Sequence, residues 1–314
     1  MTSLSYDPEI KAVLEQAASA GRPAPPARGD WESLRARTEM LMAAVAPAAR
    51  PPSVSVSNYS TTTWDGDELS LRWYTRAGST PGSAVVYSHG GGLVCGTLDL
   101  YDAIISRYVE SSGVPFLAVE YRRAPEARDT SLTRDVFAAI VWLHEHANDL
   151  GVDPDRVAVM GDSGGGAPAA GAAIMARDHG VPLARQLLIY PMLDDRNTVP
   201  DPTLEPLATW TYDNNFTGWS ALLGEAIGTE DVSELAAPAR AKDLSGVAPA
   251  YLDVGELDIF RDETINYARL LSACGVSVEL HVHPGAPHAF EGLAPGAAVS
   301  QRVLEDRNWA LTSL

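Results

Sequence analysis

Residues 156–178 read RVAVMGDSGGGAPAAGAAIMARD. The apolar run Arg156 to Met160 predicts a strand, and the small-residue stretch beginning at Gly165 predicts a helix. Ser163 falls at the turn between them, with Gly161, Gly164 and Gly165 around it. Such a turn is strained, and glycines let neighbouring backbone pass close by. It lifts a hydroxyl to the C-terminal edge of a sheet, beside the N–H groups of a helix start. Ser163 is therefore the candidate nucleophile for an acyl transfer. Chymotrypsin-like proteases carry the same pentapeptide, GDSGG, around their serine. Here the serine lies mid-chain, no Ala-Ala-His-Cys precedes it, and Cys95 and Cys274 are the chain's only cysteines.

Outward from this turn, strand and helix patterns alternate. AVVYSHGGG (84–92), PFLAVEYR (115–122), RQLLIYP (185–191), AYLDVGELD (250–258) and VSVELHVHPG (276–285) read as further strands. LYDAIISRYVESSG (100–113), SLTRDVFAAIVWLHEHANDLG (131–151) and DETINYARLLSACG (262–275) read as helices between them. Short apolar strands alternating with helices imply βαβ units, and hence an α/β fold with a mostly parallel, buried sheet. Upstream, SVSVSNYSTTTW and ELSLRWYTRA alternate on either side of Asp65-Gly66-Asp67, the pattern of an antiparallel hairpin. The first ~50 residues carry two helical patterns. One has Ile10, Val13 and Leu14 at helical spacing; the other has an Asp30 cap and Leu34, Met40, Leu41 and Val45 near one face. The Pro-rich stretch GRPAPPARGD separates them, and AARPPS ends the second. A long insert from about Asp194 to Ala237 breaks the rhythm and brings Trp210, Tyr212, Phe216 and Trp219. Most of these aromatics are expected to pack the insert onto the domain; the functional alternative is a cap that walls a pocket.

Ser88-His89-Gly90-Gly91-Gly92 follows the strand AVVY. Successive glycines expose backbone N–H groups, and such donors aimed at a carbonyl oxygen stabilise the charge that forms on attack by ~2.7–4 kcal/mol each. For the base, seven histidines compete. His144 and His146 lie on an amphipathic helix and are expected at the surface. His281 and His283 share one face of a strand, and no acidic or cysteine partner is expected nearby to complete a metal site. His288, in the loop after that strand, can reach back over the sheet edge and is the candidate base, with His283 as the fallback. For the acid, AYLDVGELDIFRDE (250–263) offers Asp253 within the strand, Glu256 and Asp258 in the loop, and Asp262 as a helix cap. Asp258 is preferred to Glu256. The chain order Ser163, Asp258, His288 is neither that of chymotrypsin nor that of subtilisin.

Bulk composition sets the surroundings. The chain has 314 residues, 46% of them hydrophobic, enough for one large domain with a small extra element. Its net charge of −18 argues against nucleic acid and against anionic membrane surfaces. Two cysteines without a Cys-x-x-Cys spacing argue against a disulfide framework or a structural zinc site, and no metal is expected. The first residues lack a basic, then apolar, leader, and no apolar stretch approaches the ~20 residues that span a bilayer, so the expected location is the cytoplasm.

Taken together, the motifs resemble the hormone-sensitive-lipase-like family of α/β-hydrolase esterases. The resemblance rests on HGGG at 89–92, Tyr121-Arg122-Arg123-Ala124-Pro125-Glu126, GDSGG at 161–165, Tyr190-Pro191, Asp243-Leu244-Ser245-Gly246, Gly255-Glu256-Leu257-Asp258 and Pro284-Gly285-Ala286-Pro287-His288-Ala289-Phe290. It runs from about residue 50 to the C-terminus. It implies an eight-stranded sheet with helices on both faces, a catalytic domain over 51–314, and a helical cap built from residues 1–50 and the insert at about 194–237. It further implies oxyanion donors at Gly91, Gly92 and Gly164, no cofactor, and a small-molecule ester of short to medium acyl chain as substrate. Similar esterases often pair as dimers. Four positions depart from the family pattern: Gly164 stands where alanine is usual, Ile259-Phe260 replace Pro-Leu after Asp258, and Leu93 replaces an aromatic after HGGG. Two other readings share these residues: a binding protein on the same scaffold, and an amidase or lactonase using the same triad.

Overall fold

The computed structural model describes residues 4–19, 25–44, 50–79 and 82–314. The strands are β1 (Val54–Thr62), β2 (Glu68–Arg76), β3 (Ala84–Ser88), β4 (Phe116–Val119), β5 (Val157–Asp162), β6 (Arg185–Ile189), β7 (Ala250–Gly255) and β8 (Val278–His283). They form one eight-stranded sheet in the order β1-β2-β4-β3-β5-β6-β7-β8. The hairpin β1–β2 joins β4 antiparallel, and every pair from β4 to β8 is parallel. The helices are α1 (Pro8–Ser19), α2 (Trp31–Ala44), α3 (Leu98–Ser112), α4 (Ser131–Glu145), α5 (Ala147–Leu150), α6 (Gly166–His179), α7 (Tyr212–Leu223), α8 (Arg261–Ala273), α9 (Phe290–Leu293) and α10 (Ala298–Thr312). Among the described residues no helix is long and apolar enough to cross a membrane.

Strand side chains alternate between two buried layers, as a pleat requires. Val86, Val157, Val159, Leu188 and Leu252 pack with α4, α6 and α8; Val85, Tyr87, Met160, Leu187 and Tyr251 pack with α3 and α10. The chain leaves β3 for α3 on one face and leaves β5 for α6 on the other. Neighbouring parallel strands whose connections part to opposite faces open a crevice at their carboxyl ends, where ligands of such folds bind. The register Ser88↔Gly161 sets the HGGG loop and the serine turn on the two lips of that crevice.

Five local expectations need correction or fall outside the described residues. Leu34 is buried, but Met40 and Leu41 of α2 are 56% and 48% exposed, because this helix docks through polar side chains rather than an apolar stripe. On α1, Ile10 is buried while Val13 faces solvent. Asp262 is not a helix cap; α8 begins at Arg261, after a turn in which Asp258 Oδ1 accepts the Phe260 N–H at 3.0 Å. His144 and His146 are half-buried rather than surface groups, and His146 stacks on Trp142 with centroids 4.1 Å apart. Val45 and parts of the two Pro-rich stretches, at 20–24 and 45–49, lie outside the described residues.

Helix α10 is bolted to the sheet by charge. Arg307 is fully buried; its Nε and Nη2 donate to the two Asp253 carboxylate oxygens on β7 at 2.7 and 2.8 Å. Its Nη1 donates to Glu291 at 2.6 Å and to the Tyr108 hydroxyl on α3 at 3.1 Å. Removing one partner of a buried ion pair strands the others. Arg307→Met, which keeps most of the stem, is expected to lower unfolding stability by about 3–5 kcal/mol in urea denaturation.

Candidate active site

Ser163 adopts φ +53°, the left-handed backbone of a strained strand-to-helix turn. The turn can be this tight only because its glycines are bare. A Cβ on Gly165 would sit 2.2 Å from the Ser88 carbonyl oxygen, and one on Gly164 would sit 2.5 Å from the Gly92 nitrogen. The turn and the HGGG loop are thus in direct backbone contact. The usual alanine at position 164 would force them apart. Gly91 and Gly92 offer N–H groups that make no hydrogen bond among the described residues. His89 does not face a substrate. It is buried, stacks on Tyr121 at 4.5 Å, and burial lowers its pKa to about 4.

The three residues assigned to nucleophile, base and acid meet. Ser163 Oγ lies 2.8 Å from His288 Nε2, and His288 Nδ1 lies 2.6 Å from Asp258 Oδ2. Ser163 and His288 are 7% and 8% exposed, and Asp258 is 1% exposed, so the chain of bonds is shielded but open at its serine end. The loops that bear base and acid are tied to each other: Leu257 N–H donates to Ala286 O at 2.9 Å. A hydroxyl bonded to an imidazole that is itself held by a carboxylate can lose its proton as the oxygen attacks.

The competing residues stand elsewhere. Glu256, the alternative acid, accepts the Gly285 N–H at 3.0 Å and so braces the base loop instead of touching His288. His283, the fallback base, is buried under Phe290 with Nδ1 3.4 Å from Arg302, and burial lowers its pKa. His281 does have acidic neighbours, contrary to the sequence reading: Glu279 at 2.8 Å, and Asp306 at 3.9 Å across from α10. Even so, no group of three or more His, Cys, Asp or Glu among the described residues is placed to hold a metal ion.

Several neighbours of the site escaped the sequence reading. Tyr190 and Phe260 set ring edges on the His288 imidazole at 4.8 and 5.2 Å, and Thr209 Oγ1 donates to the His288 carbonyl at 3.0 Å. Their only signals were the Tyr-Pro pair and an apolar residue after the acid. Of the insert's aromatics, Trp219 and Tyr212 are buried packing, as expected. Trp210 is different: its six-membered ring covers Gly92, and the indole lies 6.3 Å from the His288 ring. Beneath the turn, Asp162 accepts from the Tyr87 hydroxyl at 2.5 Å and from Tyr101 at 3.1 Å.

A family model described as the alpha/beta hydrolase fold matches residues 85–292. The chain belongs to this family, which includes the hormone-sensitive-lipase-like esterases. Among curated relatives, an ethyl acetate hydrolase of Pseudomonas putida is 32% identical over 91% of this chain and 92% of its own length. The carboxylesterase NlhH of Mycobacterium tuberculosis is 38% identical over 68% of this chain and 69% of its own. Among solved structures, a bacterial heroin esterase is 37% identical, superposes with a TM-score of 0.89, and covers 98% of both chains.

Burial pushes the Asp162 carboxyl up to about 6, against the two tyrosine hydrogen bonds that pull it down. The folded state therefore holds this proton more tightly than the unfolded chain does. Its contribution to stability is fully present below the unfolded pKa and declines as pH rises from about 4 to about 6, by roughly 3 kcal/mol. Comparing wild type with Asp162→Asn by urea denaturation across this window should show the wild type losing stability with rising pH relative to the variant.

Proposed function

We propose that the protein is a carboxylesterase that cleaves small acyl esters through Ser163, His288 and Asp258. The observation that carries this is the unbroken chain from Ser163 Oγ through the imidazole to Asp258, at 2.8 and 2.6 Å, opening beside the Gly91–Gly92 loop. Ser163 Oγ attacks the ester carbonyl carbon while His288 Nε2 takes the hydroxyl proton. The N–H groups of Gly91, Gly92 and Gly164 receive the oxyanion. The bond to the alcohol oxygen breaks, His288 returns its proton to that oxygen, and an acyl-serine remains. Water then attacks the acyl carbon, with His288 again taking a proton; the bond to Ser163 Oγ breaks, His288 returns the proton to that oxygen, and the acid leaves. Asp258 orients the imidazole and stabilises the imidazolium.

We read residues 1–50 and about 194–237 as a cap over this site. Support comes from the cross-links between them: Gly29 N–H donates to Thr217 Oγ1 at 2.8 Å, and the Arg28 guanidinium sits 3.9 Å above the Phe216 ring. Trp210 over Gly92 makes the insert a wall of the reacting centre. That wall, with the Pseudomonas putida relative being an ethyl acetate hydrolase, favours a short acyl chain. The free thiols of Cys95 and Cys274 fit a reducing, cytoplasmic location.

Ser163→Ala is expected to keep the fold by circular dichroism and to lower p-nitrophenyl butyrate turnover by at least about 10⁴-fold. Undiminished turnover would overturn Ser163 as the nucleophile, and failure of the wild type to turn over ester or take a fluorophosphonate label would leave a binding protein as the reading. Across p-nitrophenyl esters from acetate to palmitate, kcat/KM should peak at four carbons or fewer; a maximum at long chains would refute the short-acyl assignment.

A further inference from the structure

The loop carrying Gly91 and Gly92 is held from outside the sheet. Gly91 O accepts the N–H groups of Val94 and Cys95 at 3.2 and 2.8 Å, closing a turn. φ is positive at Gly91, Gly92, Leu93 and Gly96, reaching +69° at the leucine. Left-handed backbone at a residue with a side chain persists only where the surroundings over-determine it.

Much of that determination comes from α2. Arg35 Nε donates to Val94 O at 2.5 Å, and its Nη2 donates to Ala124 O at 2.8 Å. The same guanidinium forks onto both Glu126 oxygens at 2.6 and 2.8 Å. Ala124 N–H in turn donates to Leu93 O at 3.0 Å. One helical turn on, Glu39 accepts the Gly96 N–H at 3.2 Å and pairs with Arg123 Nη1 at 2.8 Å. Arg123 Nη1 also donates to Gly96 O at 3.0 Å. Residues four apart on a helix share a face, so Arg35 and Glu39 grip the two ends of one short loop together.

We infer that Arg35 and Glu39 are positioning residues for ester hydrolysis: α2 clamps the 91–96 turn so that the Gly91 and Gly92 N–H groups face the developing oxyanion. The inference rests on the reading of those glycines as oxyanion donors. Neither side chain bonds to Ser163, His288 or Asp258; each reaches the reaction only through the loop. An oxyanion hole works on the tetrahedral species rather than on the ground-state ester, so a loosened clamp lowers kcat more than it raises KM. The rigid guanidinium fork also makes lysine a poor substitute.

The test uses the full chain, with p-nitrophenyl butyrate and an alkyl trifluoromethyl ketone, which adds to the serine and places its oxyanion in the hole. Arg35→Ala is expected to lower kcat by about 10- to 100-fold, leave KM within about twofold, and weaken ketone inhibition by the same factor as kcat/KM. Arg35→Lys should recover only part of the loss. Glu39→Gln, whose amide oxygen still accepts the Gly96 N–H, should lose about three- to tenfold. The midpoint of the kcat/KM–pH profile should stay fixed, because the His288–Asp258 bond is untouched. Unchanged kcat and ketone affinity in Arg35→Ala, even with a lower melting temperature, would overturn the inference while the esterase reading stood. If Arg35→Ala does not fold, the same outcome in Arg35→Lys and Glu39→Gln overturns it. A wild type that neither hydrolyses the ester nor binds the ketone would overturn the underlying reading.

Discussion

The contact on which the rest of this structure depends is backbone against backbone: the turn after β5 pressed onto the loop after β3. A single methyl group at Gly165 would meet the Ser88 carbonyl oxygen at 2.2 Å. Such an approach is open only to glycine. It fixes the spacing of the two central strands at their carboxyl ends and brings the serine hydroxyl beside the loop's free N–H groups. Every other feature of the site is arranged around this seam. The helices that leave it part to opposite faces, and the crevice they open receives His288 from beyond β8 and Trp210 from the insert.

Around the seam lies a second level of organisation, made of buried polar groups. Tyr190 shows how it reaches the chemistry. Its ring edge supports the His288 imidazole, its hydroxyl donates to Glu291 at 2.7 Å, and Glu291 is held by Arg307. Burial alone would raise the Glu291 pKa, yet the guanidinium and the tyrosine hold it below the usual carboxylate value. Glu263 is the contrasting case. It too is buried, and desolvation carries its pKa well above the usual value although it accepts the Leu193 N–H at 2.6 Å. The difference is the cation: Glu291 has one within bonding distance, whereas among the described residues Glu263 accepts from backbone N–H groups and the Asn197 amide. These two buried carboxyls are shifted in opposite directions according to whether a cation partners them.

The sequence made the sheet legible because strand and helix periodicities are local, and each predicted strand is present. It made the serine turn legible because glycine spacing records a steric demand. The histidine and carboxylate that meet Ser163 were legible as positions after particular strands, and the other candidates stand elsewhere for reasons a sequence does not carry. Glu256 and Asp258 lie two residues apart in one loop, and only the course of the turn decides which carboxylate meets the imidazole. Met40 and Leu41 misled because α2 docks through Arg35 and Glu39, an arrangement that hydrophobic periodicity cannot reveal. Asp306 beside His281, and Trp210 over Gly92, are contacts between segments far apart in the chain. No spacing rule reaches them.

The placement of His288 beyond β8 has a consequence for how the protein comes into being. A ribosome delivers the serine turn and the glycine loop well before the strand that leads to the imidazole. A nascent chain that has paired β3 with β5 already presents the Ser163 hydroxyl, but with no proton acceptor it is as inert as any alcohol. On the proposed triad the hydroxyl gains its base only when β8 has been laid against β7, beside the strand whose Asp253 anchors α10 through Arg307. Completing the β7–β8 edge of the sheet and completing the proposed triad are then a single event.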